Sequence, residues 1–529
     1  MMEGFVSWPA ELAERYRHEG YWRGEVLGDI PRRTARGHGD RIALVDERRS
    51  WTYAELDDEA DRMAAGLRQL GIQAGDRIVV QLPNVGEFVV LCLAAYRAGV
   101  IPVLALPGHR RSEIAYLCEL SGAVGYVIPS RHGGFDFLGL AREVVAEVPR
   151  VRHVLVLGDS GEFTALASVT AEPEPLPALD PAGVAMLLLS GGTTGLPKLI
   201  PRTHDDYAYN VRASAELCAV DENTSYLVVL PVSHNFAWGC PGVLGVLRSG
   251  GKVVLAGNGS PAEVFPLVQR EQVSMVALVP PLLALWSDAR YRFDADLSSL
   301  RLLQVGGSKL AEPQAREALG TFGCTLQQVF GMAEGLLNFT HLDDPEDVVV
   351  TTQGRPLSPA DEVLVADQDR SGRGELLTRG PYTLRGYYRA AEHNRFAFTP
   401  EGYYRTGDLV RLTAEGNLVV EGRIKDQINR GGEKIAAAEI EGHLAEHPSI
   451  QEAAVVGAAD PVLGETICAF VRVSGPAPSL AEIRRFVQAR GVAAYKAPDS
   501  VEVVDSWPLT SVGKIDKKAL ARSLAERGR

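Results

Sequence analysis

The segment Ser190-Gly191-Gly192-Thr193-Thr194-Gly195-Leu196-Pro197-Lys198 packs three glycines, three hydroxyls and a lysine into nine residues. It directly follows Val184 to Leu189, an apolar run that reads as a buried strand. Residues without a Cβ let neighbouring backbone N–H groups turn toward one point, and the hydroxyls with Lys198 add donors for phosphate oxygens. The composition therefore suits a polyphosphate cradle. It is not a Walker A loop, which needs G-x-x-x-x-G-K-[ST] leading into a helix, because Leu196-Pro197 separates glycine from lysine. On these residues alone, a glycine-rich turn without a ligand stands beside the cradle.

Other chemically capable groups stand singly. Glu334 closes Val329-Phe330-Gly331-Met332-Ala333-Glu334, Asp408 closes Tyr403-Tyr404-Arg405-Thr406-Gly407-Asp408, and Lys514 follows Ser511-Val512-Gly513. Each has a plainer reading: a solvated glutamate, an Asx-turn aspartate, or one more exposed lysine beside Lys517 and Lys518. Gly306-Gly307-Ser308-Lys309, after LRLLQV, could admit a flat base close to the backbone or could be a strand-end turn.

The elements that must position these groups follow from patterning. Between Arg41 and about Thr340, apolar stretches (IALV, RIVVQL, GYVI, HVLVLG, YLVVLPV, GKVVLA, SMVALVP, LRLLQVGG) alternate with amphipathic segments such as Tyr53 to Leu70. That rhythm predicts α/β architecture with mixed or parallel sheets. Residues 171–183, rich in proline and acid, read as an exposed connector. From Val349 to Val420 short segments and frequent turns predict a small β subdomain. The final stretch predicts a helix from Ala437 to Glu446, strands at EAAVVGAA and ICAFVRV, and a helix from Leu480 to Arg490, a compact α+β domain.

Length and composition bound the rest. At roughly 150 residues per domain, 529 residues give two to four domains. The hydrophobic share of 46% and charged share of 23% exclude wholesale disorder. A net charge of −13 without a long basic run disfavours nucleic acid as main partner. No apolar run approaches the roughly 18–20 residues of a membrane span, and the polar start lacks a signal-peptide core, so a cytoplasmic location is expected. Six scattered cysteines without C-x-x-C spacing read as reduced thiols.

The loop SGGTTGLPK resembles the phosphate-loop signature of the adenylate-forming superfamily, which includes acyl-CoA synthetases, peptide-synthetase adenylation domains and firefly luciferase. Further matches follow in the family's order: WTYAEL at 51–56, GVIPVLALP at 99–107, GMAE at 331–334, YYRTGD at 403–408, GRIKDQINRGGEKI at 422–435 and LTSVGKID at 509–516. The resemblance implies a large N-terminal α/β domain, residues 1–423, of mixed sheets with helices plus a small β subdomain, and a small mobile α+β lid, residues 424–529. It implies that Ser190, Gly191, Gly192, Thr193, Thr194, Gly195 and Lys198 hold the phosphates of ATP, and that Glu334 carries the Mg²⁺ associated with them. Gly306 and Gly307 would line the adenine with Val329 and Gly331 nearby, while Asp408 and Arg423 would hold the ribose. Lys514 would bridge the acid carboxylate and the α-phosphate. The lid would swing about Lys425, withdrawing Lys514 and presenting Gly431 and Gly432 for attack by a phosphopantetheine thiol.

Two stretches narrow the acid. Pro231-Val232-Ser233-His234-Asn235-Phe236 with Cys240-Pro241-Gly242, and GMAEGLLN at 331–338, resemble the aryl-acid subgroup that activates salicylate or 2,3-dihydroxybenzoate for siderophore assembly. Asn235 both donates and accepts, which suits an ortho-hydroxyl on a ring held by Phe236, Cys240, Gly307 and Leu337. His234 would help position the acid, although a packed structural histidine fits as well. Dihydroxybenzoate enzymes of the subgroup resemble one another in a serine matching Cys240 and a valine matching Leu337. A cysteine and a leucine here favour salicylate or a ring-substituted salicylate. Trp238 exceeds the size expected and could narrow the pocket rim or pack outside it.

The carrier signature L-G-G-[HD]-S-[LI] does not occur, and 15 residues follow Lys514, so the thiol is expected in trans from an aryl carrier protein. A catabolic aryl-CoA ligase using free coenzyme A and a non-catalytic nucleotide-binding scaffold are the alternatives. A monomer or homodimer is expected.

Overall fold

The computed structural model describes residues 2–176, 178–190, 197–430, 433–460, 463–490, 496–510 and 513–527. Gly191, Gly192, Thr193, Thr194, Gly195, Gly431 and Gly432 therefore lie outside the described residues, and only the backbone of Lys425 is described.

Two large sheets form the body. In the nine-stranded sheet the central strands Ile42–Val45, Ser225–Val228, Lys252–Leu255, Met275–Leu278, Leu302–Gly306 and Thr325–Gly331 are parallel, while Ser50–Thr52 at one edge and Leu337–Phe339 with Arg355–Pro356 at the other are antiparallel. The seven-stranded sheet pairs Arg77–Val80, Ile101–Leu104, Gly125–Pro129, His153–Leu157 and the short edge strand Thr164–Ala165 in parallel and adds the antiparallel pair Val184–Leu189 and Leu199–Thr203. Helices cover these strands, which explains their continuous apolar runs: a strand buried on both faces has no polar side to alternate. Tyr53–Gln69 is helical as its pattern predicts, started by a capping box in which Thr52 and Glu55 satisfy one another's backbone N–H. Residues 171–176 and 178–180 run mostly exposed and without regular structure, as a connector should.

A four-stranded antiparallel sheet, Glu362–Ala366, Gly374–Arg379, Tyr404–Leu412 and Leu418–Arg423, is the small β subdomain. The expected start of that β texture at Val349 is wrong, because Glu346–Thr351 is a helix. Glu346 and Asp347 in its first turn suit the positive end of the helix dipole, and they override the strand preference of Val348-Val349-Val350.

The last hundred residues build their own five-stranded sheet with Ala437–Ala445 and Leu480–Ala489 against it. Ile428, Ile435, Ile440, Leu444, Val455, Val471 and Ile483 belong to a core separate from the main one. Among the described residues no helix is long and apolar enough to cross a membrane.

Candidate active site

The candidate groups meet where the parallel strands of the nine-stranded sheet end. Gly306 ends Leu302–Gly306 in register with Val329. A Cβ on Gly306 would lie 2.6 Å from the Val329 carbonyl oxygen and 3.2 Å from the Phe236 ring. Gly307 has φ +84°, and a Cβ there would lie 3.2 Å from Lys514 Cε. The bare backbone of Gly306-Gly307 therefore takes the Phe236 ring on one side and the Lys514 chain on the other. The lysine arrives from the small domain on a tight turn. Gly513 N–H donates to the Thr510 carbonyl (2.9 Å), Thr510 N–H to the Lys514 carbonyl (2.7 Å), and Lys514 N–H to Thr510 Oγ1 (3.2 Å).

Burial, followed by the nearby Arg423 charge, brings the Lys514 pKa down to about 8, while Asp408 and Glu334 pull it upward. Lys514 thus sits beside a cation and two carboxylates, the surroundings expected where further negative charge is to be received. Asp408 and Arg423 are cross-strand partners, joined at 2.6 Å, and Asp408 N–H donates to Thr406 Oγ1 at 3.0 Å. Glu334, only 8% exposed, accepts from the Tyr387 hydroxyl at 2.8 Å, and its carbonyl accepts from Leu384 N–H at 2.7 Å. Tyr387 also pairs with the Tyr404 hydroxyl at 2.8 Å, and Lys198 Nζ lies 5.6 Å from the Tyr387 ring centre. At the base of the phosphate loop Ser190 N–H donates to the Lys198 carbonyl (2.9 Å) and Lys198 N–H to Ser190 Oγ (3.0 Å). The loop therefore leaves and rejoins the sheet at one closed point. Among the described residues no group of three His, Cys, Asp or Glu could hold a metal by itself. The lone carboxylate of Glu334 fits Mg²⁺, which keeps water and phosphate oxygens as its other ligands.

The residues expected to hold the acid sit on the helix Asn235–Gly239, just after it, and on the strand Leu337–Phe339. Tyr207 donates to Asn235 Oδ1 at 2.7 Å, while Asn235 Nδ2 donates to Cys240 Sγ at 3.4 Å. The Cys240 thiol donates to the Asn235 carbonyl at 3.4 Å. Burial pushes that thiol up to about 12, so it stays protonated. Leu337 faces Gly331 across the strand pair, and a Cβ on Gly331 would lie 2.3 Å from Leu337 Cδ2. The leucine's bulk is thus accommodated by a glycine. His234 caps the short helix, its Nδ1 accepting from Phe236 N–H at 3.3 Å. Burial and then the Lys514 charge bring its pKa down to about 3, which leaves a neutral ring. Trp238 lies away from the rim: fully buried, it donates to the Tyr96 hydroxyl at 3.1 Å and packs edge-on against Phe88 at 5.3 Å.

Residues from distant parts of the chain hold this constellation, and the sequence reading missed them. Arg202, 1% exposed, donates to Asp206 Oδ1 (2.7 Å), the Ala333 carbonyl (2.9 Å) and the Tyr382 carbonyl (3.1 Å). Tyr382 in turn accepts from Leu337 N–H at 3.1 Å and donates to Asp361 at 2.6 Å. One segment, 382–387, therefore fixes both the Glu334 carboxylate and the strand bearing Leu337. Two clefts of about 580 and 600 Å³ open elsewhere, beside Tyr21 and Arg212 and beside Arg17 and Asp180, and include none of these groups.

Comparison with known proteins shows the family. The AMP-binding enzyme family model matches residues 31–388, and the AMP-binding enzyme C-terminal domain model matches residues 439–514. The 2,3-dihydroxybenzoate-AMP ligase of Bacillus subtilis is 54% identical over 100% of this chain and 99% of its own length. The salicyl-AMP ligase / salicyl-S-ArCP synthetase of Mycobacterium tuberculosis is 48% identical over 98% of this chain and 94% of its own. The apo structure of Mycobacterium smegmatis MbtA shares 50% identity with a TM-score of 0.76, covering 98% of this chain and 99% of that one.

Proposed function

The chain belongs to the AMP-binding enzyme family, and from that premise we propose that it is an aryl acid-AMP ligase that activates salicylate or a ring-substituted salicylate. The observation that carries this reading is the juxtaposition of the Asn235, Phe236, Cys240 and Leu337 pocket with Lys514 across Gly306-Gly307. In the first half-reaction a carboxylate oxygen of the acid bonds to the α-phosphorus of ATP as the bond from that phosphorus to pyrophosphate breaks. Lys514 supplies positive charge where carboxylate and α-phosphate meet, offsetting their repulsion and the charge that builds in the transition state. Asp408 and Arg423 hold the ribose, Gly306 and Gly307 line the base, and the 190–198 loop with Lys198 takes the phosphates. Glu334 would hold Mg²⁺, which neutralises the departing pyrophosphate when bound. Neutral His234 shapes the pocket mouth without adding charge.

In the second half-reaction the small domain, residues 424–529, turns about Lys425, and the thiol of a phosphopantetheine on a separate aryl carrier protein attacks the acyl carbonyl. The bond between the acyl carbon and the AMP oxygen breaks, and AMP leaves. The name of one relative, a salicyl-S-ArCP synthetase, supports a carrier as acceptor, and siderophore assembly is the setting we propose. The position of Lys514 beside Gly307 supports an orientation that serves the first half-reaction.

Cys240 and Leu337 support salicylate over 2,3-dihydroxybenzoate. The thiol is engaged with Asn235, and Leu337 adds bulk where a 3-hydroxyl would need a partner. ATP–pyrophosphate exchange tests the reading: salicylate should drive faster exchange than 2,3-dihydroxybenzoate and far faster than benzoate. Faster exchange with the dihydroxy acid overturns the ring preference, and no exchange with any hydroxybenzoate overturns the acid class. Thioester formation as fast on coenzyme A as on a carrier protein would overturn the acceptor.

A further inference from the structure

Tyr207 lies on the helix His204–Leu217, which a capping box between Thr203 and Asp206 starts, and it is fully buried. Its hydroxyl reaches Asn235 Oδ1 only because residue 239 is glycine: a Cβ there would fall 2.4 Å from the phenol oxygen. Behind the ring, the Arg202 guanidinium carbon sits 4.7 Å from the ring centre, and Asp206 and two backbone carbonyls hold that guanidinium in place. The phenol therefore has little freedom. Burial keeps it protonated and so a donor.

An amide can be turned over, exchanging its oxygen for its NH₂. Turned over here, Asn235 would put its NH₂ against the phenol, which could pair with it only by accepting, and the buried phenol proton would lose Oδ1 as its acceptor. Its oxygen would face the Cys240 sulfur, whose proton already goes to the Asn235 carbonyl. Building on the aryl-acid reading above, we propose that Tyr207 is a positioning residue that locks the Asn235 amide with Nδ2 toward Cys240 and the ring pocket, so that the pocket offers an N–H donor and selects ortho substituents that accept. Salicylate fits this demand. Its phenol proton is shared internally with its own carboxylate, leaving the ortho oxygen as acceptor. Anthranilate presents N–H groups at the same place and meets donor with donor, and benzoate presents nothing.

The experiment is ATP–pyrophosphate exchange by the full-length enzyme with salicylate, anthranilate and benzoate, in the wild type, Tyr207→Phe, Asn235→Ala and the double variant. Tyr207→Phe should lower the kcat/KM preference for salicylate over each analogue by about tenfold, acting through the acid KM with the ATP KM unchanged. In the Asn235→Ala background it should change neither ratio, because the interaction it acts through is already gone. Gly239→Ala, which displaces the phenol oxygen without removing it, should reproduce the loss. Unchanged ratios in Tyr207→Phe, or equal losses for all acids and for ATP, overturn the inference alone. A wild-type enzyme inert toward all three acids overturns the underlying reading instead.

Discussion

The acid pocket and the nucleotide side of the site are built on different plans. The proposed acid pocket draws its contacts from within residues 1–423: Asn235 is held from both ends by Tyr207 and Cys240, and Leu337 is held through Tyr382 and Gly331. The proposed nucleotide side is assembled across two bodies, with Lys514, next to Ile515 of a small-domain core, brought to Gly307, Asp408 and Arg423. On the proposed reading the choice of acid is set in a packed interior, whereas the charge of Lys514 depends on where the small domain sits. A preformed pocket can discriminate before the catalytic site is complete, and the lysine can leave without loosening the ring.

Separating the two regions gives the largest expected effect. Lys514→Ala should reduce pyrophosphate exchange by about 10²–10³-fold, the size of losing one preorganised charge contact at a reacting centre, with far less effect on thioester formation from supplied acyl adenylate. Equal loss of both half-reactions would break the distinction. Next, Cys240→Ser with Leu337→Val should shift preference toward 2,3-dihydroxybenzoate by about ten- to a hundredfold, by freeing space and supplying a hydroxyl partner. A change in the ATP KM of similar size would mean the two regions are not independent.

A smaller effect concerns pH. The Lys514 pKa lies near 8 in the seated position, so its cationic fraction falls as pH rises through that value. Exchange measured as kcat/KM should therefore decline several-fold above about pH 8, and the thioester step should lack that limb. His234, brought down to about 3, should contribute no break between pH 5 and 8. The smallest expected effect lies at the boundary. Arg373 of the β subdomain pairs with Glu439 of the small domain at 3.3 Å, both partly exposed. Arg373→Ala should slow exchange by about twofold, consistent with a partly screened ion pair, and leave acid preference unchanged.

The sequence made legible what is local. A strand leading into Ser190–Lys198 and the glycine pair after LRLLQV carry their meaning in adjacent residues; of the first, Lys198 lies near Tyr387, and the pair lies beside Phe236 and Lys514. The alternating strands and the small α+β domain were readable because burial on two faces leaves continuous apolar runs. Tyr207, 28 residues from Asn235, and Tyr387, 53 residues from Glu334, gave no signal, since a buried tyrosine at helical or turn spacing reads as core until its partner is known. Trp238 is the converse: beside the pocket in sequence, it points into the core toward Tyr96 and Phe88. Lys514 was singled out only by resemblance, because three lysines within five residues look alike until one is seated over Gly307.

The most direct test of a preformed acid pocket beside an assembled catalytic site is equilibrium binding of salicylate and 2,3-dihydroxybenzoate to the wild type and to Lys514→Ala, each with a non-hydrolysable ATP analogue present. The ratio of the two dissociation constants should be the same in both proteins, favouring salicylate, although the variant has lost exchange. A ratio that collapses to unity in Lys514→Ala would contradict the separation and place ring selectivity on the small domain.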